Sequence, residues 1–125
     1  MTDETFDLCR KVYEATSWGD VVGYYEYYPV SSVIRQKTSS PGNTLPTLLH
    51  ENITPLYTSD YLLERLPATI GKGYWKSYLR MSKTDDGYAF AYMDRQLVRA
   101  YECTGSTPLI ALLRLVLELK KEGII

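Results

Sequence analysis

The sequence predicts an α+β fold. In this fold a small antiparallel sheet, a hairpin plus a third strand, packs on an apolar C-terminal helix, and an N-terminal helix and a Tyr-rich strand are added to it. Three observations predict it: apolar residues at helical spacing near the C-terminus, an Asp-Gly turn between two alternating segments, and a run of tyrosines after an amphipathic segment. A length of 125 residues with 45% apolar content is typical of one globular domain. We therefore expect a single domain over residues 1–125.

The N-terminal part predicts a helix followed by a strand. Residues 3–16 place apolar side chains on one face, and their early acids suit the positive end of a helix dipole. Residues 21–28 then form a strand that Pro29 ends, because proline lacks the N–H that a sheet requires. Residues 33–37 predict a further strand, and residues 38–44 predict a loop rich in Ser, Pro, Gly and Asn.

The central part predicts a short helix and a β-hairpin. The helix begins after Thr58 or Ser59 as the N-cap, and it ends at Pro67. Two alternating strands, 74–83 and 88–93, flank an Asp-Asp-Gly turn.

The register of this hairpin assigns its side chains to faces. If Asp86 and Gly87 form a two-residue loop, Lys83 lies opposite Phe90. One face then carries the apolar and aromatic side chains that we place against the C-terminal helix: Trp75, Leu79, Met81, Tyr88, Phe90 and Tyr92. A register shift of two residues preserves these faces, because side chains alternate with period two. Residues 96–103 predict the third antiparallel strand.

The C-terminal helix has clear signals at both ends. Thr107 is a suitable N-cap, and Pro108 fits the first helical position, where no N–H is needed. Apolar residues cover most of the circumference, so the rest of the chain must cover this helix. Gly123 fits the left-handed residue that ends a helix, with Ile124 folding back onto Leu119.

Charge and composition argue against several function classes. The net charge of −1 creates no field that attracts nucleic acid or an anionic membrane, and no apolar run reaches the roughly 20 residues that span a bilayer. The acidic N-terminal segment is unlike a signal peptide, and Cys9 and Cys103 match no metal or redox spacing. We therefore expect a cytoplasmic protein with reduced thiols.

The sequence contains no catalytic set. The one histidine, His50, lies beside Glu51, but no nucleophile or second metal ligand accompanies it at a motif spacing. We therefore expect a protein that is not an enzyme and that uses no metal and no cofactor.

Tyrosine is over-represented, with twelve residues against two Phe and two Trp. Tyr is enriched at interfaces because it joins an apolar ring to a polar hydroxyl. The run over residues 24–28 divides its tyrosines between two strand faces, of which one packs and one is presented outward. We predict that this run binds a protein partner through Tyr24, Tyr25, Tyr27 and Tyr28. If Tyr25 and Tyr27 face outward, replacing both by Ala should weaken binding without unfolding the domain.

The charge distribution suggests the kind of partner. The N-terminal part is acidic and the first hairpin strand is basic. An acidic, Tyr-rich surface fits a basic host protein or the basic strand of another copy of the chain, so we also expect a homo-oligomer.

Two alternatives remain open. The first is binding of single-stranded nucleic acid, whose bases would stack on the aromatic rings of the first hairpin strand and whose phosphates would contact its cations. The residues concerned are Lys72, Tyr74, Lys76, Tyr78, Arg80 and Lys83. The order helix, three strands, helix also resembles the double-stranded RNA-binding domain in topology, but the last helix here has no cation before Arg114. The second alternative is a pocket between the Tyr-rich strand and the hairpin that sequesters a small ligand such as a nucleotide.

Three motifs follow one another in the second half of the chain. A capped helix ends in Leu-Pro at residues 61–67, a hairpin strand follows at 87–92, and a Thr-Pro-capped apolar helix ends in Gly-Ile-Ile at 123–125. Over residues 57–125 this order resembles small uncharacterised proteins of tailed bacteriophages and prophages. The resemblance implies a phage or mobile-element accessory protein that acts inside a bacterium, and it implies no catalytic residues.

Overall fold

The computed structural model describes residues 3–21, 23–38, 53–71, 73 and 76–125. Within these residues three helices and two small antiparallel sheets form, which confirms the α+β class. The chain divides into two compact units, Met1–Tyr57 and Thr58–Ile125. The single domain over residues 1–125 stays a prediction. Of the loop predicted over residues 38–44, Thr38 instead ends the strand over residues 33–38, because it pairs with Gly23. The rest of that loop, together with His50 and Glu51, lies outside the described residues.

The first unit is a helix with a three-stranded sheet. Its elements are α1 (Asp3–Thr16), β1 (Gly23–Tyr28), β2 (Val33–Thr38) and β3 (Ile53–Pro55). The strands lie in the order β2-β1-β3, and both pairings are antiparallel. The predicted amphipathic face of α1 supplies Phe6, Leu8, Cys9 and Val12 to the core.

A buried tyrosine fastens the end of this unit. Tyr57 is fully buried, and its hydroxyl donates a hydrogen bond of 2.5 Å to the carbonyl oxygen of Trp18. The residues that follow α1 and β3 are therefore tied together, because a buried hydroxyl needs a partner to offset its lost hydration.

The second unit is a four-stranded sheet with two helices. Its elements are α2 (Ser59–Arg65), β4 (Thr69–Ile70), β5 (Ser77–Thr84), β6 (Gly87–Met93), β7 (Arg99–Gly105) and α3 (Pro108–Lys121). The strands lie in the order β4-β5-β6-β7, and all pairings are antiparallel. Thr58 is the N-cap of α2, since its hydroxyl accepts from the Tyr61 amide at 3.1 Å.

The hairpin loop differs from the predicted one. Thr84 pairs with Gly87, so Asp85 and Asp86 form the loop and Gly87 belongs to β6. Gly87 is needed inside the strand because a Cβ there would collide with the carbonyl oxygen of Gly105. The register therefore shifts by two residues, which preserves the predicted faces.

The β6 part of the predicted hairpin face packs on the C-terminal helix. Of the other predicted residues of this face, Met81 is 56% exposed, and Trp75 lies outside the described residues. Tyr88 pairs with Gly105, so both residues point to the same face of the sheet. A Cβ on Gly105 would lie 2.6 Å from the Ala111 amide nitrogen, which places α3 directly against this face. On the same face Tyr92 is fully buried, and its hydroxyl donates to the Pro67 carbonyl oxygen at 2.7 Å.

Strand β7 carries a bulge. Phe90 pairs with Cys103 but Tyr92 pairs with Ala100, so β7 has one more residue than β6 between these pairs. Tyr101 lies in the bulge with a φ of 54°, a left-handed conformation that is unfavourable for a bulky side chain.

Both ends of α3 form as predicted. The Thr107 hydroxyl accepts from the Ile110 amide at 3.1 Å, and Pro108 occupies the first turn. At the other end Gly123 has a φ of 74°, and the Ile124 amide donates to the Leu119 carbonyl oxygen at 2.9 Å. These are the bonds of a Schellman ending.

Gly105→Ala is expected to destabilise the protein by about 1–3 kcal/mol, because the added methyl would overlap backbone atoms of α3 that cannot move aside. The urea midpoint followed by far-UV circular dichroism measures this loss. Gly23→Ala is the control, since its Cβ would lie at an ordinary 3.5 Å from the Leu56 Cβ. Equal midpoints for Gly105→Ala and wild type would contradict the close approach.

Candidate protein-binding surface

Strand β1 presents its tyrosines to two different environments. Tyr25 and Tyr27 point toward α1, where the Phe6 ring lies edge-on to Tyr25 at 6.0 Å and tilted to Tyr27 at 6.5 Å between ring centroids. Tyr25 is only 3% exposed and belongs to the core. The outward orientation considered for Tyr25 is therefore wrong, because the apolar face of α1 covers this side of the sheet.

The opposite face of β1 carries a compact group of polar and aromatic side chains. Glu26 pairs with Arg35 and Tyr24 pairs with Lys37, so the alternation puts these residues and Tyr28 on one face. We call Glu26, Tyr28, Arg35 and Lys37 the Tyr28 cluster.

Hydrogen bonds and cations hold the Tyr28 ring in place. The Tyr28 hydroxyl donates to Glu26 Oε1 at 2.9 Å, and Lys37 Nζ lies 2.8 Å from the same oxygen. Lys37 Nζ is also 5.1 Å from the Tyr28 ring centroid, and Arg35 Cζ is 5.7 Å from it. Cation–π contacts of this kind contribute about 0.5–1 kcal/mol each at exposed sites.

The cluster carries a net positive charge. Two cations, Arg35 and Lys37, surround the single carboxylate of Glu26. Hydrogen bonding to Glu26 and then to Tyr28 raises the pKa of Lys37 above its usual range, so its ammonium stays charged. The Lys37 side chain is 39% exposed, which leaves its charge accessible to a partner.

Two of the four predicted tyrosines lie on the face that carries the Tyr28 cluster. Of the predicted tyrosines, Tyr24 and Tyr28 lie on the cluster face, and Tyr25 and Tyr27 lie on the α1 face. The cations were missed because they come from β2. The predicted strand 33–37 contained the signal, since its alternating Arg35 and Lys37 share one face once that strand is paired with β1.

The α1 face ends in an open hollow. It has a volume of about 350 Å³ and is lined by Phe6, Asp7, Tyr27, Ser32 and Ile34. This hollow lies within the first unit, and its lining combines the carboxylate of Asp7 with the aromatic rings of Phe6 and Tyr27. The small-ligand alternative stays a prediction.

The residues predicted to bind nucleic acid are only partly brought together. Tyr78 and Arg80 point to the face of β5 away from α3, and Lys76 Nζ lies 5.9 Å from the Tyr78 ring centroid. Lys83 points to the other face, because its separation from Arg80 is odd. Lys72 and Tyr74 lie outside the described residues.

The cysteines show no sign of activation. Cys9 and Cys103 are both free thiols. Burial raises the pKa of Cys9 to about 11, although a hydrogen bond with the Tyr57 backbone opposes this. Burial also raises the pKa of Cys103, and the nearby Glu118 adds to it. Both thiols are therefore protonated at neutral pH and are poor nucleophiles.

The part of the chain that the structure describes brings no three His, Cys, Asp or Glu side chains together as a metal site. None of its helices combines the length and apolar character needed to cross a membrane.

No family model, curated protein or solved structure matches this chain. The resemblance to phage proteins therefore stays a prediction.

Raising the pH above 9 is expected to lower the stability. Burial raises the pKa of Cys9 from 9.0 to about 11 and the pKa values of Tyr25 and Tyr92 from 10.0 to about 12. Each folded value lies above the unfolded one, so this contribution is complete below pH 9 and is lost as the pH rises toward 12. Urea midpoints at successive pH values measure the loss.

The control for this experiment is Tyr25→Phe, which removes one of the ionising groups and should make the alkaline loss shallower. A wild-type midpoint that is constant up to pH 12 would show that these groups ionise freely in the folded state.

Proposed function

We propose that the protein is a non-enzymatic binding protein that docks a protein partner through the Tyr28 cluster. The observation that carries the proposal is a ring fixed by one hydrogen bond and two cations on an accessible sheet face. Tyr and Arg dominate binding energy at interfaces, and a side chain already held in place loses little entropy on binding. From the resemblance of residues 57–125, we further propose an accessory role of phage type inside a bacterium.

Exposed apolar side chains lie beside the Tyr28 cluster. Val33 pairs with Tyr28 and shares its face, with 37% of its surface exposed. Val30, in the turn between β1 and β2, is fully exposed. An aromatic and apolar centre flanked by cations matches the usual arrangement of a protein interface.

The charge of the cluster changes the expected partner. Counting the acids before residue 29 predicted an acidic surface and a basic partner. In the folded unit Lys37 neutralises Glu26, and Arg35 adds a further positive charge. We therefore propose a partner that presents acidic side chains to Arg35 and Lys37, with a second copy of the chain as one candidate.

Tyr28→Ala is expected to weaken partner binding by more than about tenfold, because interface hot spots contribute about 2 kcal/mol or more. A tagged full-length chain would first recover the partner from nuclease-treated bacterial lysate. The purified partner would then be titrated against wild type, Tyr28→Ala and Tyr28→Phe, which keeps the ring but loses the bond to Glu26.

Lys11→Ala is the matched control, because Lys11 is exposed on α1, away from the cluster. Thermal unfolding of each variant separates lost binding from lost folding. Equal affinity for wild type and a folded Tyr28→Ala would remove the proposal. If only the bait is recovered, sedimentation of wild type and Tyr28→Ala tests whether the partner is a second copy.

A further inference from the structure

Strand β5 has an open edge in the second unit. On one side it pairs with β6 from Tyr78 to Thr84. On the other side β4 pairs only with Ser77 and Tyr78. Residues 80–84 are all exposed. We call these five residues the β5 edge.

The register shows which backbone groups the edge presents. The Leu79 amide donates to the Ala68 carbonyl oxygen at 3.2 Å, so it points away from β6. Backbone groups alternate in direction along an antiparallel strand, so the N–H and C=O groups of Met81 and Lys83 also point away from β6. Among the described strands none pairs with these groups, and an extended chain satisfies such groups by adding a strand.

The side chains of the edge define the charge of an incoming strand. Arg80 points to the face away from α3, and Lys83 points to the α3 face, so one cation flanks the edge on each side of the sheet. Residues 66–84 contain no Asp or Glu. Asp85 and Asp86 in the hairpin loop limit the basic stretch at its end.

A second copy of the chain does not suit this edge. Pairing of β5 with its own copy would line one seam with Arg80 and Lys83 from both chains, and β5 has no acid to offset them. Like charges across paired strands are destabilising. The complementary occupant is an acidic segment of a different protein.

We propose that the β5 edge binds an extended acidic protein segment by strand addition. The segment is antiparallel to β5, its backbone pairs with Met81 and Lys83, and its acids lie opposite Arg80 and Lys83, three positions apart. An apolar side chain of the segment lies opposite Met81, which is 56% exposed. This site lies in the second unit and does not depend on the Tyr28 cluster.

The direct probe is a fluorescent peptide of about eight residues, a length typical of a strand. It carries glutamates at the two positions opposite Arg80 and Lys83 and a valine opposite Met81. Fluorescence anisotropy with the full-length chain measures its binding. A peptide with glutamines in place of the glutamates tests the charge, and a single-stranded oligothymidylate tests nucleic acid.

Backbone methylation of the peptide tests strand addition itself. N-methyl groups on the residues opposite Met81 and Lys83 block the amides that face the edge, whereas N-methyl groups on the residues opposite Arg80 and Ser82 face away. We expect the first peptide to lose binding and the second to keep it. Equal binding of the two peptides would overturn strand addition.

Two variants of the protein test the same edge. Met81→Pro removes an outward N–H, which an edge strand tolerates because that group does not pair with β6. Arg80→Glu with Lys83→Glu reverses both cations, and we expect at least about tenfold weaker binding from the two lost cross-strand pairs. The control with the same change in net charge is Lys11→Glu with Arg95→Glu, two exposed positions outside the edge.

The proposal stands if the acidic peptide binds wild type and the control, and if both edge variants weaken binding while they remain folded. Tyr28→Ala should bind the peptide like wild type, so failure of the Tyr28 cluster would not affect this result. Binding of the oligothymidylate without the peptide, binding unchanged in the edge variants, or no binding of any probe would each overturn it.

Discussion

The second unit depends on covering a helix that is apolar on nearly all sides. Seven side chains of α3 are buried: Ile110, Ala111, Leu112, Leu113, Leu115, Val116 and Leu119. Burial of a single Leu or Ile stabilises a fold by about 1.5–3 kcal/mol, so leaving this helix uncovered would remove most of the stability of a small unit. The sheet covers one side of α3, and contact with α2 covers another. The close approach of Gly105 to Ala111 follows from this packing, since a side chain at Gly105 would hold the sheet and helix apart. A side chain at Gly87 would instead collide with the end of β7 at Gly105.

The sheet of the first unit is stabilised differently on its two faces. Its sheet has three short strands, and one face is packed on α1 through Tyr25, whereas the other face is held by charge and hydrogen bonding around Tyr28. A short sheet needs order on both faces if it is to present a defined surface. The Glu26 carboxylate supplies it, because it fixes both the Tyr28 hydroxyl and the Lys37 ammonium.

Local chemistry explains which features the sequence predicted well. The caps of α3 depend on Thr107, Pro108 and Gly123 alone, and each forms as predicted. The hairpin loop was misplaced because Gly87 serves a contact with Gly105, which is distant in sequence and invisible to a turn rule. Strands β3 and β4 were not predicted, because three and two residues are too few for a periodic pattern.

The candidate surface was harder to predict than the fold, because it depends on contacts between residues that are distant in sequence. Alternation separates Tyr25 from Tyr28, but only the position of α1 decides which face is covered. The cations of the cluster belong to β2, and their place beside Tyr28 follows from strand pairing. Counting acids along one segment therefore does not give the charge of the Tyr28 cluster, because two of its three charged side chains come from β1's partner strand.

The bulge at Tyr101 makes the two borders of the second sheet unequal. Strand β5 is regular, whereas β7 is interrupted by an extra residue in a left-handed conformation, a feature that discourages further pairing. Growth of an open-ended polymer by strand pairing requires two sheet edges on every molecule that can each pair with an edge of the next molecule. If the β5 edge adds a strand as proposed, a sheet with a single competent border accepts one strand and then stops, so we expect complexes of fixed stoichiometry that do not grow into fibres.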